Sequence, residues 1–73
     1  MQLFLKVKLL NTREHILAME ARCNAARLTI AQLCREVGEG CSRTLWWRWK
    51  QNVGSPRLDV WERVEAVVRR HEG

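Results

Sequence analysis

The chain has 73 residues, with 13 Lys and Arg against 8 Asp and Glu and a formal net charge of +5. That length gives one small domain, and a chain so short buries only about 60% of the surface its unfolded form exposes. A multi-site enzyme with its own cofactor domain is therefore excluded, while 47% apolar and 29% charged residues mark a globular chain and not a disordered one.

The first ten residues alternate Leu3, Leu5, Val7 and Leu9 with Gln2, Phe4, Lys6 and Lys8. Period two predicts a strand-like arm over residues 1–10. A lone strand has no pairing partner in its own chain, so it suits a second copy or another protein; the alternative is the first turns of a longer helix. Lys6 and Lys8 interrupt the run, no A-x-A-like cleavage site follows, and the stretch is too short to span a bilayer. The expected location is cytoplasmic, with no membrane partner.

Residues 11–73 read as a helical domain. Asn11 or Thr12 offers an N-cap, with Glu14 in the first turn. A first helix is predicted to run to Arg27, with Ile16, Met19, Cys23 and Ala26 on one face and Leu17 beside them. Thr29-Ile30-Ala31-Gln32 has the form of a capping box, in which Thr29 accepts from the N–H of Gln32 and Gln32 reaches back. It opens a second helix that buries Ile30, Leu33, Cys34 and Val37 and stops at Gly38, a residue free to take a left-handed C′ conformation. Ser42 then caps a third helix through about Gln51, with Leu45, Trp46 and Trp49 inward and Arg43, Thr44, Trp47 and Arg48 on the other side. Asn52 to Arg57 is a loop broken by Gly54 and Pro56. Asp59 is the expected cap of a last helix burying Val60, Trp61, Val64, Val67 and Val68. The fold class is thus all-α, a four-helix helix-turn-helix domain with a short N-terminal arm.

Charge is concentrated. Residues 41–58 carry Arg43, Arg48, Lys50 and Arg57 and no acid, and a basic segment of this kind attracts polyanions, nucleic acid above all. Cys23, Cys34 and Cys41 are odd in number, which excludes a complete internal disulfide set. They form no C-x-x-C pair, and His15 and His71 have no ligand-like spacing to them. Reduced, partly buried thiols and no metal or cofactor are expected. Cys41, just before a helix N-terminus, is expected to have a lowered pKa and raised reactivity. No Ser/His/acid or Cys/His arrangement, Gly-rich phosphate loop or carboxylate pair is present, so the chain does not read as an enzyme.

The run Leu28-Thr29-Ile30-Ala31-Gln32-Leu33-Cys34-Arg35-Glu36-Val37-Gly38, followed by Ser42-Arg43-Thr44-Leu45-Trp46-Trp47-Arg48-Trp49-Lys50, resembles the helix-turn-helix of the lambda-repressor-like (Cro and repressor) DNA-binding family. Ser55-Pro56-Arg57-Leu58-Asp59 through Val68 resembles that family's following loop and helix, so the likeness covers roughly residues 13–70. Three features depart from the pattern: two extra residues between Gly38 and Ser42, Ile30 where many members place a polar phosphate contact, and a fourth helix as the last instead of a fifth. The resemblance implies base-facing positions at Ser42, Arg43, Thr44, Trp47 and Arg48. It places Lys50, Gln51, Asn52 and Arg57 near the phosphate backbone. It further implies a sequence-specific transcriptional regulator of phage or bacterial type, bound to duplex DNA in the nucleoid as a homodimer through the arm or the last helix. The rival reading is a small protein-binding module that sequesters a host protein, favoured by the apolar arm, Trp47 and the longer turn.

Overall fold

The computed structural model describes residues 12–73. They form four helices, α1 (Thr12–Ala25), α2 (Ile30–Val37), α3 (Arg43–Lys50) and α4 (Leu58–Glu72), and no strand among the described residues. The expected strand-like arm lies outside the described residues. Helix α1 packs on α3 and α4, and α2 packs on α4 and α3.

The core follows the helical periodicity. Ile16, Cys23, Leu33, Val64 and Val68 are the largest fully buried side chains, joined by Met19, Val37, Trp46, Trp49, Val60 and Val67. Ile30, Leu45 and Trp61 are only partly buried against this cluster, so three residues expected inside lie at its edge. Leu17 is exposed and takes no part. The indoles form a chain: Trp46 stacks on Trp61 with centroids 6.3 Å apart, and meets Trp49 edge-on at 6.1 Å, both within the range of favourable aromatic pairs.

Helix ends are set by local chemistry, with three departures from expectation. Helix α1 stops at Ala25, before Arg27. There Leu28 N–H donates to the Cys23 carbonyl at 2.8 Å and Arg27 N–H to that of Asn24 at 3.1 Å, the bonding of a Schellman motif. Arg27 holds the positive φ of 59° that the motif needs. At the start of α2, Thr29 Oγ1 accepts from Gln32 N–H at 3.1 Å, but the reciprocal half of the capping box is missing. Gln32 Nε2 instead donates to Glu36 Oε2, one turn on, at 3.2 Å. Helix α4 begins at Leu58 behind Arg57, which makes no side-chain cap bond. Asp59 is not the cap: it sits in the first turn, where its carboxylate suits the helix dipole and pairs with Arg57 at 3.4 Å.

Ion pairs hold α4 to its neighbours. Arg22 of α1 grips the Glu72 carboxylate with two bonds of 2.9 Å and reaches Glu65 at 3.5 Å. The bidentate bond to Glu72 raises the Arg22 pKa further above its usual value, and holds the Glu72 carboxyl below the usual range. Glu36 of α2 accepts from Arg70 at 3.3 Å and lies 3.0 Å from His71 Nε2. The His71 contact, with smaller help from Gln32 and Arg70, likewise lowers its pKa.

Candidate functional site

The α2–α3 unit is built around a five-residue turn, Gly38 to Ser42. Gly38 has φ +85° and ψ −136°, positive as expected of a C′ glycine but outside the left-handed helical basin. Gly40 has φ +87°, and a Cβ there would lie 2.8 Å from Val60 Cγ2; both the backbone and the close approach of α4 require glycine. Arg63 of α4 clamps the turn, donating to the Val37 carbonyl at 3.2 Å and to that of Glu39 at 2.8 Å. It satisfies one carbonyl that the end of α2 leaves without a helical partner and one in the turn itself. The longer turn is thus a packed, hydrogen-bonded element.

Ser42 is the N-cap of α3, its Oγ accepting from Leu45 N–H at 3.1 Å. This phase turns Trp46 and Trp49 into the core and leaves Thr44 exposed. At ~100° per residue, Arg43, Thr44, Trp47 and Arg48 share an arc of about 140° opposite the buried indoles. All four are exposed, as is Ser42. Trp47 keeps 60% of its surface open to solvent. Arg43 and Arg48 have no ion-pair partner among the described residues. Four of the five positions expected to face a ligand therefore share one exposed face of α3, and the fifth, Ser42, is exposed at its N-terminal end.

The residues expected to approach a phosphate backbone are not equivalent. Gln51 is exposed and its backbone ends α3. Arg57 is exposed and only loosely held by Asp59. Lys50 is turned away from the others toward α1, where its Nζ lies 3.1 Å from Glu20 Oε1. Asn52 is exposed, but its backbone and side chain are engaged within the fold. It occupies the positive-φ position (63°) of a second Schellman motif, with Val53 N–H donating to the Arg48 carbonyl at 2.8 Å. Its Oδ1 accepts from Arg13 N–H at 3.0 Å, satisfying a donor in the first turn of α1.

Two residues missed by sequence reasoning shape the site. Glu20 accepts the Trp46 indole N–H at 2.9 Å with one oxygen and holds Lys50 with the other, so it locks α3 to α1 and neutralises one of the four basic residues in 41–58. Arg63 fixes the turn. Neither carries a sequence signal: each acts on partners more than twenty positions away.

The cysteines are free and buried. The expected reactivity of Cys41 is not found, because burial outweighs any helix-terminus effect. Desolvation, with the neighbouring Cys34 thiol 3.6 Å away, pushes Cys41 up to about 12. Burial likewise raises Cys23 and Cys34 above the ordinary thiol value. No cluster of three or more metal-ligating side chains occurs among the described residues, and no helix among them is long and apolar enough to cross a membrane.

The fold and site together define a small all-helical domain that presents a short basic helix bearing an exposed Trp. No protein-family model, curated protein or solved structure matches the chain.

Proposed function

We propose that the chain binds duplex DNA through the exposed face of α3, as a sequence-reading transcriptional regulator of phage or bacterial type. One observation carries this reading: Arg43 and Arg48 stand exposed on either side of Trp47 with no ion-pair partner among the described residues, while the acids nearby are spent on Lys50 and Arg57. Either Arg can bond bidentately to guanine O6 and N7, Thr44 can touch a thymine methyl or bond a base edge, and the N–H groups at the start of α3 suit a phosphate. Gln51 and Arg57 supply contacts to the backbone at the far end of the helix. The resemblance to the Cro and repressor family supports the same assignment, with a homodimer setting two α3 helices about 34 Å apart and the protein working in the cytoplasm on the nucleoid. Catalysis, a metal and a cofactor have no part in this reading.

The test is a titration on random duplex and on the DNA upstream of the protein's own coding region, at about 50 and 200 mM salt, with the wild type and an Arg43→Ala/Arg48→Ala variant. Salt-sensitive binding, tighter on the upstream DNA, is the expected result. If the two arginines read guanines, the double variant should lose about 1–3 kcal/mol of discrimination per contact between upstream and random DNA, whereas each arginine that instead neutralises a phosphate should flatten the slope of log K against log salt by about 0.9. No binding at the lower salt sinks the proposal. The second reading, a protein-binding module, rests on Trp47, since an exposed Trp is a frequent anchor of protein interfaces.

A further inference from the structure

Two of the buried cysteines meet. Cys34, on the inner face of α2, and Cys41, in the turn before α3, have their Sγ atoms 3.6 Å apart. Cys23 is buried as well but makes no such contact among the described residues. A disulfide holds its sulfurs at about 2.05 Å, so closing one here takes an approach of about 1.5 Å. Cys34 is fixed within α2, and the turn is the side that can give. Its backbone is irregular, and a Cβ at Gly38, where it starts, would meet nothing within 4 Å. The two cysteines are seven positions apart, a short loop that keeps each thiol close to the other even when the turn opens. The local charges also suit thiol chemistry. The guanidinium of Arg43 acts on Cys34 and that of Arg63 on Cys41, each favouring the thiolate against the effect of burial.

We propose that Cys34 and Cys41 are a redox-responsive dithiol, closed to a disulfide by exchange with a small-molecule disulfide of the glutathione type, and that the bridge locks the α2–α3 turn. The thiolate of one cysteine attacks a sulfur of the small disulfide. A mixed disulfide forms, and the first small thiol leaves with the proton that the cysteine gave up. The second cysteine attacks the protein sulfur of the mixed disulfide, which forms the Cys34–Cys41 bond and expels the second small thiol. The two cysteines lose two electrons and two protons, and the two small thiols carry them away. Burial makes the first attack wait on opening of the turn, with release of the Arg63 clamp, so exchange takes hours while the closed form is silent on the minutes scale. In a reducing compartment the dithiol is the resting form and the bridge is the response to oxidation. The inference holds whether α3 meets DNA or protein.

The experiment uses the full chain, folded and in urea, held at about pH 8 with reduced and oxidised glutathione at about 1 mM each until the composition is constant. Free thiols are then trapped by alkylation. Trypsin, cutting after Arg22, Arg27, Arg35 and Arg43, puts Cys23, Cys34 and Cys41 on three separate peptides, so each pairing has its own mass. The folded chain should become two hydrogens lighter, with the Cys34 and Cys41 peptides joined and Cys23 alkylated, and dithiothreitol should restore the original mass. The chain in urea should give all three pairings. In the bridged form the Cys41 N–H, which donates to the Gly38 carbonyl at 3.2 Å, should exchange with deuterium about tenfold more slowly than in the dithiol. Three free thiols at equilibrium, glutathione retained on a single cysteine, or the same mixture of pairings as in urea overturns the proposal. Exchange at Cys41 that the bridge leaves unchanged overturns the lock on the turn.

Discussion

The indole N–H of Trp46 donates to the Glu20 carboxylate at 2.9 Å, and the second oxygen of the same carboxylate holds Lys50 at 3.1 Å. Trp46 is almost wholly buried, so its one polar atom must find a partner within the protein. Glu20 supplies it from α1, and thereby fixes the rotation of α3 about its own axis. That rotation decides which residues α3 presents to solvent. Glu20→Ala leaves the indole N–H buried and unpaired and should cost about 1–3 kcal/mol in urea unfolding. Glu20→Gln keeps an acceptor and should cost less, while freeing Lys50 of its counter-charge. If α3 binds DNA, Glu20→Gln should therefore tighten binding to random duplex and steepen its salt dependence by about 1. Equal stability of the Ala and Gln variants would show that the hydrogen bond does not hold α3.

The turn gives a second contrast. Gly38 and Gly40 both have positive φ, but a Cβ at Gly38 would meet nothing within 4 Å, whereas at Gly40 it would meet Val60 Cγ2 at 2.8 Å. Gly38→Ala should cost about 1–3 kcal/mol, the penalty for a side chain at a positive φ outside the left-handed helical basin. Gly40→Ala adds the displacement of α4 to a positive-φ penalty and should cost more, by about 1–3 kcal/mol. Chemical denaturation of the two variants side by side checks the order. Equal costs would mean that α4 yields at Val60.

Acid should weaken the domain through Glu72 and Glu36. Both carboxyls are held below the usual range, Glu72 by the bidentate Arg22 and Glu36 first by His71. In the unfolded chain the same groups take up protons at higher pH. The unfolded state therefore binds more protons across the carboxylate range, and stability rises with pH there. The contribution is complete above the ordinary carboxylate value and is lost as pH falls through the lowered, folded values. Both pairs are exposed, so the effect is a shallow slope and is screened by salt. Denaturation midpoints measured from pH 6 down to pH 3 should show it, and Glu72→Gln should flatten the curve. An unchanged acid limb in that variant would remove Arg22–Glu72 as its source.

Local signals and distant contacts are not equally legible in the chain. Ser42, Trp46 and Trp49 can be placed from a cap and an i, i+3 spacing, and the exposed face of Arg43, Thr44, Trp47 and Arg48 follows from the same phase. Thr29 is readable for the same reason. Where sequence and structure part, a local rule meets a competitor outside its window. The helix-terminus rule for Cys41 loses to desolvation in the core and to the Cys34 thiol, neither visible in a five-residue span. The reciprocal bond of Gln32 loses to Glu36 one turn on. Asp59 has the chemistry of a cap, but the backbone turns extended at Arg57 (φ −69°, ψ 155°), two residues earlier. Lys50 and Asn52 read as free for a ligand because their partners, Glu20 and Arg13, lie 30 and 39 positions away along the chain.

Buried thiols with raised pKa values should be silent in the folded protein. With Cys41 at about 12 and Cys23 and Cys34 also raised, almost no thiolate exists at pH 8, and the thiolate is the reactive form. A chromogenic disulfide reagent added to the native protein at pH 8 should label none of the three on the minutes scale. In denaturant it should label all three at once. Fast labelling of one thiol in the native state would point to local opening of the turn, since Cys41 is the cysteine that the turn carries.

Trp47 separates the two functional readings. Its ring is 60% exposed, so Trp47→Ala should leave stability within about 0.5 kcal/mol of the wild type. Its effect on binding depends on what α3 meets. Against DNA, the indole makes an apolar contact with a thymine methyl or a sugar edge. Its loss should then be sequence-selective, greatest at sites with a thymine at the contacted step, and should leave the salt slope unchanged. Against a protein, a buried Trp anchor is commonly worth about 2 kcal/mol or more, a drop of roughly thirtyfold in affinity. That loss should hardly depend on salt, and Arg43→Ala/Arg48→Ala should matter less than Trp47→Ala. Duplex titrations of the two variants at two salt concentrations, with melting curves as the control for folding, decide between them. If only the Arg variant loses salt-sensitive duplex binding, α3 reads DNA chiefly through its charges. If neither variant changes duplex binding, the basic face is not the contact surface.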